Sequence, residues 1–67
     1  MKIVTGKEFA KALERKGWTL ARVNGSHHIY KAPAGFGTVS VPIHNKDLLT
    51  GTQRTLMRQS GLTDADL

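Results

Sequence analysis

Cysteine is absent from this chain of 67 residues, and so are long runs of apolar residues. Without cysteine the chain forms no disulfide, no cysteine-ligated zinc site or iron–sulfur cluster, and no thiol nucleophile. The absence also favours the cytosol, because small secreted domains are usually stabilised by disulfides. Without a long apolar run we expect neither a signal peptide nor a membrane span. The sequence therefore predicts a cytoplasmic protein that does not bind a membrane.

The short length limits what the core can contain. Hydrophobic residues make up 39% of the chain, which is enough for one core. A domain of this size buries only about 60% of the surface that its unfolded chain exposes, so little stability remains to support a large empty pocket. We expect a single domain over residues 1–67, without a cofactor and without a deep site for a small-molecule ligand.

Acidic side chains are few compared with basic ones. Five Asp and Glu residues stand against ten Lys and Arg residues. Residues 1–31 hold seven basic and two acidic residues, whereas residues 32–67 hold three of each sign. A basic half on a small domain indicates a polyanionic partner, most simply a nucleic acid. A net charge of this size also serves solubility, so charge alone leaves both interpretations open.

Two capping-box patterns predict two helices. Thr5-Gly6-Lys7-Glu8 begins a helix over residues 6–16, and Gly17 supplies its left-handed end. Thr50-Gly51-Thr52-Gln53 begins a second helix, which ends at Gly61. On the first helix an apolar face lies opposite a basic stripe, because residues four apart share a face. The stripe consists of Lys7, Lys11 and Arg15.

Three short strands are predicted between the helices, at residues 18–23, 27–31 and 38–43, with Asn24-Gly25 as a hairpin dipeptide. Short turns make such strands antiparallel, and two amphipathic helices can cover one face of the sheet. The fold class is therefore α+β, a two-layer α-β-β-β-α sandwich with both helices on one face of a three-stranded antiparallel sheet. Alternation places His27 beside Ile29, on the side that we expect the helices to cover.

The histidines are the side chains best suited to proton transfer near neutral pH, since their ordinary pKa is about 6.5. His27 and His28 are neighbours on one strand, so their side chains diverge, and no acidic residue stands beside them; this argues against a metal site. Ser26 beside His27 lacks an orienting acid and an oxyanion pattern, which argues against a serine nucleophile. Each histidine alone is most simply a surface or half-buried side chain, and the role of His44 stays open.

Residues 25–31, GSHHIYK, combine a tight turn, a hydroxyl, two imidazoles, an aromatic ring and a cation. An aromatic ring can stack on a base and a lysine can hold a phosphate, although Tyr30 is equally well explained as a packing residue. A histidine beside RNA can take the proton of a 2′-hydroxyl, whose oxygen then attacks the adjacent phosphate. Because RNA supplies this nucleophile, the reaction needs neither a metal nor a cofactor.

These motifs resemble the HicA toxins of bacterial toxin–antitoxin pairs. The resemblance rests on Gly17-Trp18, Gly25-Ser26-His27 with Ile29-Tyr30, Val41-Pro42-Ile43-His44, Asn45-Lys46-Asp47-Leu48, Gly51-Thr52 and the ending from Leu56 to Gly61-Leu62. It implies a fold like the double-stranded-RNA-binding domain and an endoribonuclease that cuts mRNA and so arrests translation. It also implies a HicB-type antitoxin that binds the toxin and blocks its active site.

The resemblance implies His27 as the catalytic residue, because the family's catalytic histidine follows the Gly-Ser pair. We expect the RNA-binding residues in the basic half and the hairpin: Lys7, Lys11, Arg15, Arg22, Ser26, His28, Tyr30 and Lys31. If His27 were fully buried, His28 would become the catalytic candidate.

Two other function classes remain open from the sequence. One is a non-catalytic module that recognises the shape of double-stranded RNA, with the basic helix as one contact. The other is a protein-interaction domain whose basic surface fits an acidic partner. RNA cleavage that depends on His27 separates the nuclease from both, and growth arrest without a partner separates it from the interaction domain.

Overall fold

A computed structural model describes all residues from 1 to 67. Helix α1 spans Gly6–Arg15 and helix α2 spans Thr50–Ser60; between them lie β1 (Thr19–Asn24), β2 (His27–Lys31) and β3 (Thr38–Pro42). The strands form one antiparallel sheet with β2 in the centre. The predicted element order and the α+β class are confirmed, and the arrangement is consistent with a double-stranded-RNA-binding-domain-like fold. No helix of the chain combines the length and apolarity needed to cross a bilayer.

The start of α1 follows from its sequence. The hydroxyl of Thr5 accepts a hydrogen bond from the Glu8 N–H at 3.1 Å, and the Glu8 carboxylate accepts one from the Thr5 N–H at 2.9 Å. This confirms the capping box predicted at this position. Gly6 lies against the end of β3, where a Cβ would overlap the carbonyl oxygen of Pro42. The small residue lets α1 approach the sheet, and Phe9 and Leu13 then fill the core.

The start of α2 differs from its prediction. Its N-cap is Leu49, which offers no side-chain hydrogen bond to the helix. Gln53 is fully buried; its Oε1 accepts a hydrogen bond from the Val4 N–H at 3.0 Å, and its Nε2 donates to the carbonyl of Lys2. The capping box predicted at Thr50 is therefore wrong, because the N-terminal segment uses the Gln53 amide.

The hairpin between β1 and β2 turns one residue later than predicted. Asn24 pairs with His27, so the two loop residues are Gly25 and Ser26. Gly25 has φ +62° and Ser26 does not have a positive φ, which is the pattern of a type II′ turn. This register makes His27 the first residue of β2.

The two faces of the sheet are clearly divided. Tyr30, Val39 and Val41 are buried in one cluster with residues of both helices, so they define the helix-covered face. Ile29 is half-buried and His27 is exposed, and both lie on the opposite, open face. The prediction that His27 lies on the helix-covered side is therefore wrong. His27 and Ile29 do share one face, as the alternation predicts. The helices cover the other face because the larger ring of Tyr30, rather than Ile29, fills the core.

The residues after α2 fold back onto the start of the chain. Leu62 is buried, and a 3₁₀ turn at Asp64–Asp66 follows it. The Asp66 carboxylate lies 3.3 Å from the Lys16 ammonium, and the Arg15 guanidinium donates to the Asp66 carbonyl at 3.0 Å. The N–H of Thr63, and after it Lys16, hold the pKa of Asp66 below its ordinary value. The acidic tail thus engages two of the basic residues near the end of α1.

Candidate functional site

The two neighbouring histidines of β2 face opposite sides of the sheet. His27 is exposed on the open face, opposite Asn24 of β1 and Pro42 of β3. His28 is half-buried on the helix-covered face, opposite Val41. The structure therefore does not bury His27, which was the condition under which His28 would replace it.

The open face that holds His27 also carries two cations. Arg22 lies opposite Ile29, and Lys31 lies at the far end of β2; both are exposed. A strand rises about 3.3 Å per residue, which places Lys31 roughly 13 Å along the strand from His27. Neither cation belongs to the two ion pairs of the chain, Met1–Asp64 and Lys16–Asp66. The face thus presents an exposed imidazole at one end and unpaired positive charge along its length.

The helix-covered side holds a cavity of about 430 Å³ between α1, β2 and the segment after β3. Tyr30 lies at its base, only 2% exposed, and its hydroxyl donates to the Glu14 carboxylate at 2.8 Å. Burial, followed by this hydrogen bond, raises the pKa of Tyr30 to about 12. Because its ring is packed in the core, Tyr30 is not available to stack on a base, and this part of the prediction is corrected. The residues lining the cavity are Lys7, Ala10, Lys11, Glu14, His28, Tyr30, Ile43 and Asn45.

The other predicted RNA-binding residues fall into two groups. Lys7 and Lys11 lie with His28 on the helix side, while Arg22 and Lys31 lie with His27 on the open face. Ser26 is exposed in the turn that precedes His27. Its carbonyl accepts a hydrogen bond from the Ile43 N–H at 2.7 Å, which ties the turn to the end of β3. Arg15 belongs to neither group, because its guanidinium is engaged by the C-terminal turn.

Two polar residues that line the cavity, Glu14 and Asn45, were not predicted from the sequence. Glu14 follows Lys11 by three residues and Lys7 by seven, and this spacing places all three on one side of a helix. The spacing is therefore visible in the sequence, although the prediction concerned only the positive charges of this helix. Asn45 lies in a loop, and nothing in its local sequence indicates that it reaches the cavity.

The remaining polar groups form no obvious catalytic or metal centre. No group of three or more His, Asp or Glu side chains is arranged to hold a metal ion. His44 is exposed at a separate cavity of about 300 Å³, whose lining includes Lys46, Leu49 and Thr52. His44 therefore does not line the cavity that Lys7, Lys11 and His28 share.

The comparison with known families decides the identity. A family model described as the HicA toxin of bacterial toxin–antitoxin systems matches residues 6–62. The chain belongs to the HicA toxin family. It is thus the toxin of a toxin–antitoxin system, and family membership implies a HicB-type antitoxin as its partner. No curated protein matches the chain. The matched region of this HicA toxin contains all three strands and both histidines of β2.

Proposed function

We propose that this HicA toxin is a metal-independent endoribonuclease that cuts mRNA, with His27 as the general base. The observation that carries the proposal is the position of His27. It is exposed at the first residue of β2, it follows the Gly25–Ser26 turn, and it shares the open face with Arg22 and Lys31. An RNA strand laid on this face brings its phosphates to the cations and a 2′-hydroxyl to the imidazole.

The reaction needs only groups of the chain and of the RNA. The His27 imidazole takes the proton of a 2′-hydroxyl, and the 2′-oxygen forms a bond to the adjacent phosphorus. The bond from phosphorus to the 5′-oxygen breaks, and this oxygen takes a proton from the imidazolium or from water. The products are a 2′,3′-cyclic phosphate and a 5′-hydroxyl. Because mRNA is the proposed substrate, we place the reaction in the cytoplasm and propose that it inhibits translation.

The test is cleavage of RNA by the purified toxin in EDTA, with identification of the product ends. His27→Ala is expected to lower the cleavage rate by at least about 100-fold, because a positioned general base contributes 10²–10⁴-fold. The matched control is His28→Ala, which removes an imidazole one residue away on the other face and should cause a clearly smaller loss.

Three results contradict parts of the proposal. Undiminished cleavage by the His27→Ala protein removes the proposed role of this residue. A loss confined to His28→Ala moves the chemistry to the helix-covered side. RNA that is bound but not cut in any assay supports a non-catalytic RNA-binding module instead.

A further inference from the structure

The cavity on the helix-covered side has unpaired positive charge at one end. Lys7 and Lys11 line it four residues apart, and neither takes part in an ion pair of the chain. Arg15 and Lys16, at the end of the same helix, are instead engaged by Asp66. The C-terminal turn thus engages the basic residues at one end of α1 and leaves those at the cavity end without an ion-pair partner in the chain. A phosphate group fits two adjacent ammonium groups.

The opposite end of the cavity is a hydrogen-bond acceptor held in place. Glu14 lies seven residues after Lys7, which is about 10 Å along a helix axis. Its Oε2 accepts the hydrogen bond from the buried Tyr30 hydroxyl at 2.8 Å, and its Oε1 has no partner within the chain. A carboxylate fixed in this way accepts hydrogen bonds from amino groups, such as the exocyclic amine of cytosine.

The end of the cavity that holds Lys7 and Lys11 lies next to the start of β2, where His27 is proposed to act. Gly6 packs on Pro42 at the end of β3, so Lys7 sits beside the start of β2. The Ile43 N–H bonds the Ser26 carbonyl, and this places the cavity wall directly against the turn that precedes His27. An RNA strand can therefore pass from the open face around the Gly25–Ser26 turn into the cavity. The volume of about 430 Å³ lies within the range of roughly 300–1,000 Å³ that is usual for ligand sites.

We infer that this cavity binds one nucleotide of the RNA strand beside the cleaved bond and selects its base. Lys7 and Lys11 hold the phosphate, Asn45 and His28 form the walls, and Glu14 accepts a hydrogen bond from the base. The site favours a base with an exocyclic amine over uracil. This inference rests on the proposed function, since it takes single-stranded RNA as the ligand.

The test uses short 2′-O-methyl oligocytidine and oligouridine as probes for binding to the native chain. Their blocked 2′-oxygens cannot attack phosphorus, so binding is measured without cleavage. The toxin is expected to bind oligocytidine about fivefold more tightly, the effect of one added hydrogen bond. Glu14→Gln keeps an oxygen for the Tyr30 hydroxyl and should reduce this preference to less than about twofold. Glu8→Gln, on the same helix outside the cavity, still completes the capping box and should preserve the preference.

A second arm tests the phosphate end with matched pairs of charges. Lys7→Ala with Lys11→Ala should lower the slope of log affinity against log salt by about 0.7 for each phosphate that the protein no longer neutralises. Arg54→Ala with Arg58→Ala removes the same charge at the same spacing from α2 and should leave the slope unchanged.

Several outcomes overturn the inference. Equal changes in slope for the two pairs exclude a phosphate site at Lys7 and Lys11. No preference between the probes, or a preference that survives Glu14→Gln, excludes base selection in the cavity. If Glu14→Gln, or Lys7→Ala with Lys11→Ala, weakens binding of the antitoxin and leaves the affinity for RNA unchanged, the cavity is a protein interface instead. Failure of the proposed cleavage is recognised separately, because the EDTA assay measures catalysis and the 2′-O-methyl probes measure only binding.

Discussion

The two faces of the sheet differ more than their shared strands suggest. On the helix-covered face Val39, Val41 and Tyr30 are almost fully buried, whereas His27 and Ser40 are exposed on the open face. Stability therefore depends on one side of β2 and β3, while the other side is free to carry charge and an exposed imidazole. In a domain this small, a strand thus packs the core and presents polar side chains to solvent through alternate residues.

The contact of α1 with the sheet at Gly6 should be the position on the helix-covered face where a substitution lowers stability most. Gly6→Ala places a Cβ against the Pro42 carbonyl, and we expect it to reduce the free energy of unfolding by about 3 kcal/mol. Gly51→Ala is the matched control near the start of α2, where a Cβ meets no atom within 4 Å, and should stabilise the helix by up to about 1 kcal/mol. Urea denaturation measures both, and similar effects of the two substitutions would contradict the close approach of α1 to the sheet.

Adjacent residues of β3 provide a direct comparison of the two faces. Val41 is fully buried, so Val41→Ala should cost about 2 kcal/mol of unfolding free energy because it removes packing from the core. Ser40→Ala, one residue earlier on the open face, should change it by less than about 0.5 kcal/mol. Thermal or urea denaturation distinguishes the two. A comparable loss of stability at Ser40 would show that the open face is packed rather than free.

Of the three contacts compared, the hydrogen bond from Tyr30 to Glu14 should contribute least to stability, and Tyr30→Phe should cost about 1 kcal/mol at neutral pH. Its contribution depends on pH. Because the pKa of Tyr30 is raised to about 12 in the folded protein, the unfolded chain loses this proton first, near pH 10. The stabilisation that this hydrogen bond contributes is therefore fully present below pH 10 and is lost between about pH 10 and 12.

Urea denaturation at several pH values tests this contribution, with Trp18 fluorescence as the signal. The Tyr30→Phe protein lacks the phenol and should lose less stability than the native chain above pH 10. Parallel stability curves for the two proteins above pH 10 would rule out the assigned role of the Tyr30 hydroxyl.

Much of the fold follows from local chemistry. The Thr5 and Glu8 side chains begin α1 as their spacing predicts, and short turns between three β-prone segments lead to an antiparallel sheet. The start of α2 did not follow from its spacing, because a buried contact between Gln53 and the N-terminal segment outweighs a local cap. The turn residues shifted by one for a similar reason, since the pairing of β2 with both neighbours sets its register.

The candidate site was predictable in composition but not in arrangement. The Gly25-Ser26-His27 motif and the basic residues of α1 were visible in the sequence, and all of them lie within residues 6–62, which the family model matches. That Tyr30 is a core residue, that Arg15 belongs to the C-terminal turn, and that Glu14 and Asn45 meet at one cavity are properties of distant contacts.

The sequence by itself determined the element order, the surplus of positive charge and the presence of two divergent histidines, because these depend on residue type and on neighbours a few positions apart. Only the tertiary structure decided which face the helices cover. Alternation divides the residues of a strand into two sets that face opposite sides of the sheet. Which set is buried depends on which one fills the core better. Here the ring of Tyr30, with Val39 opposite it, packs beneath the helices and leaves His27 in solvent.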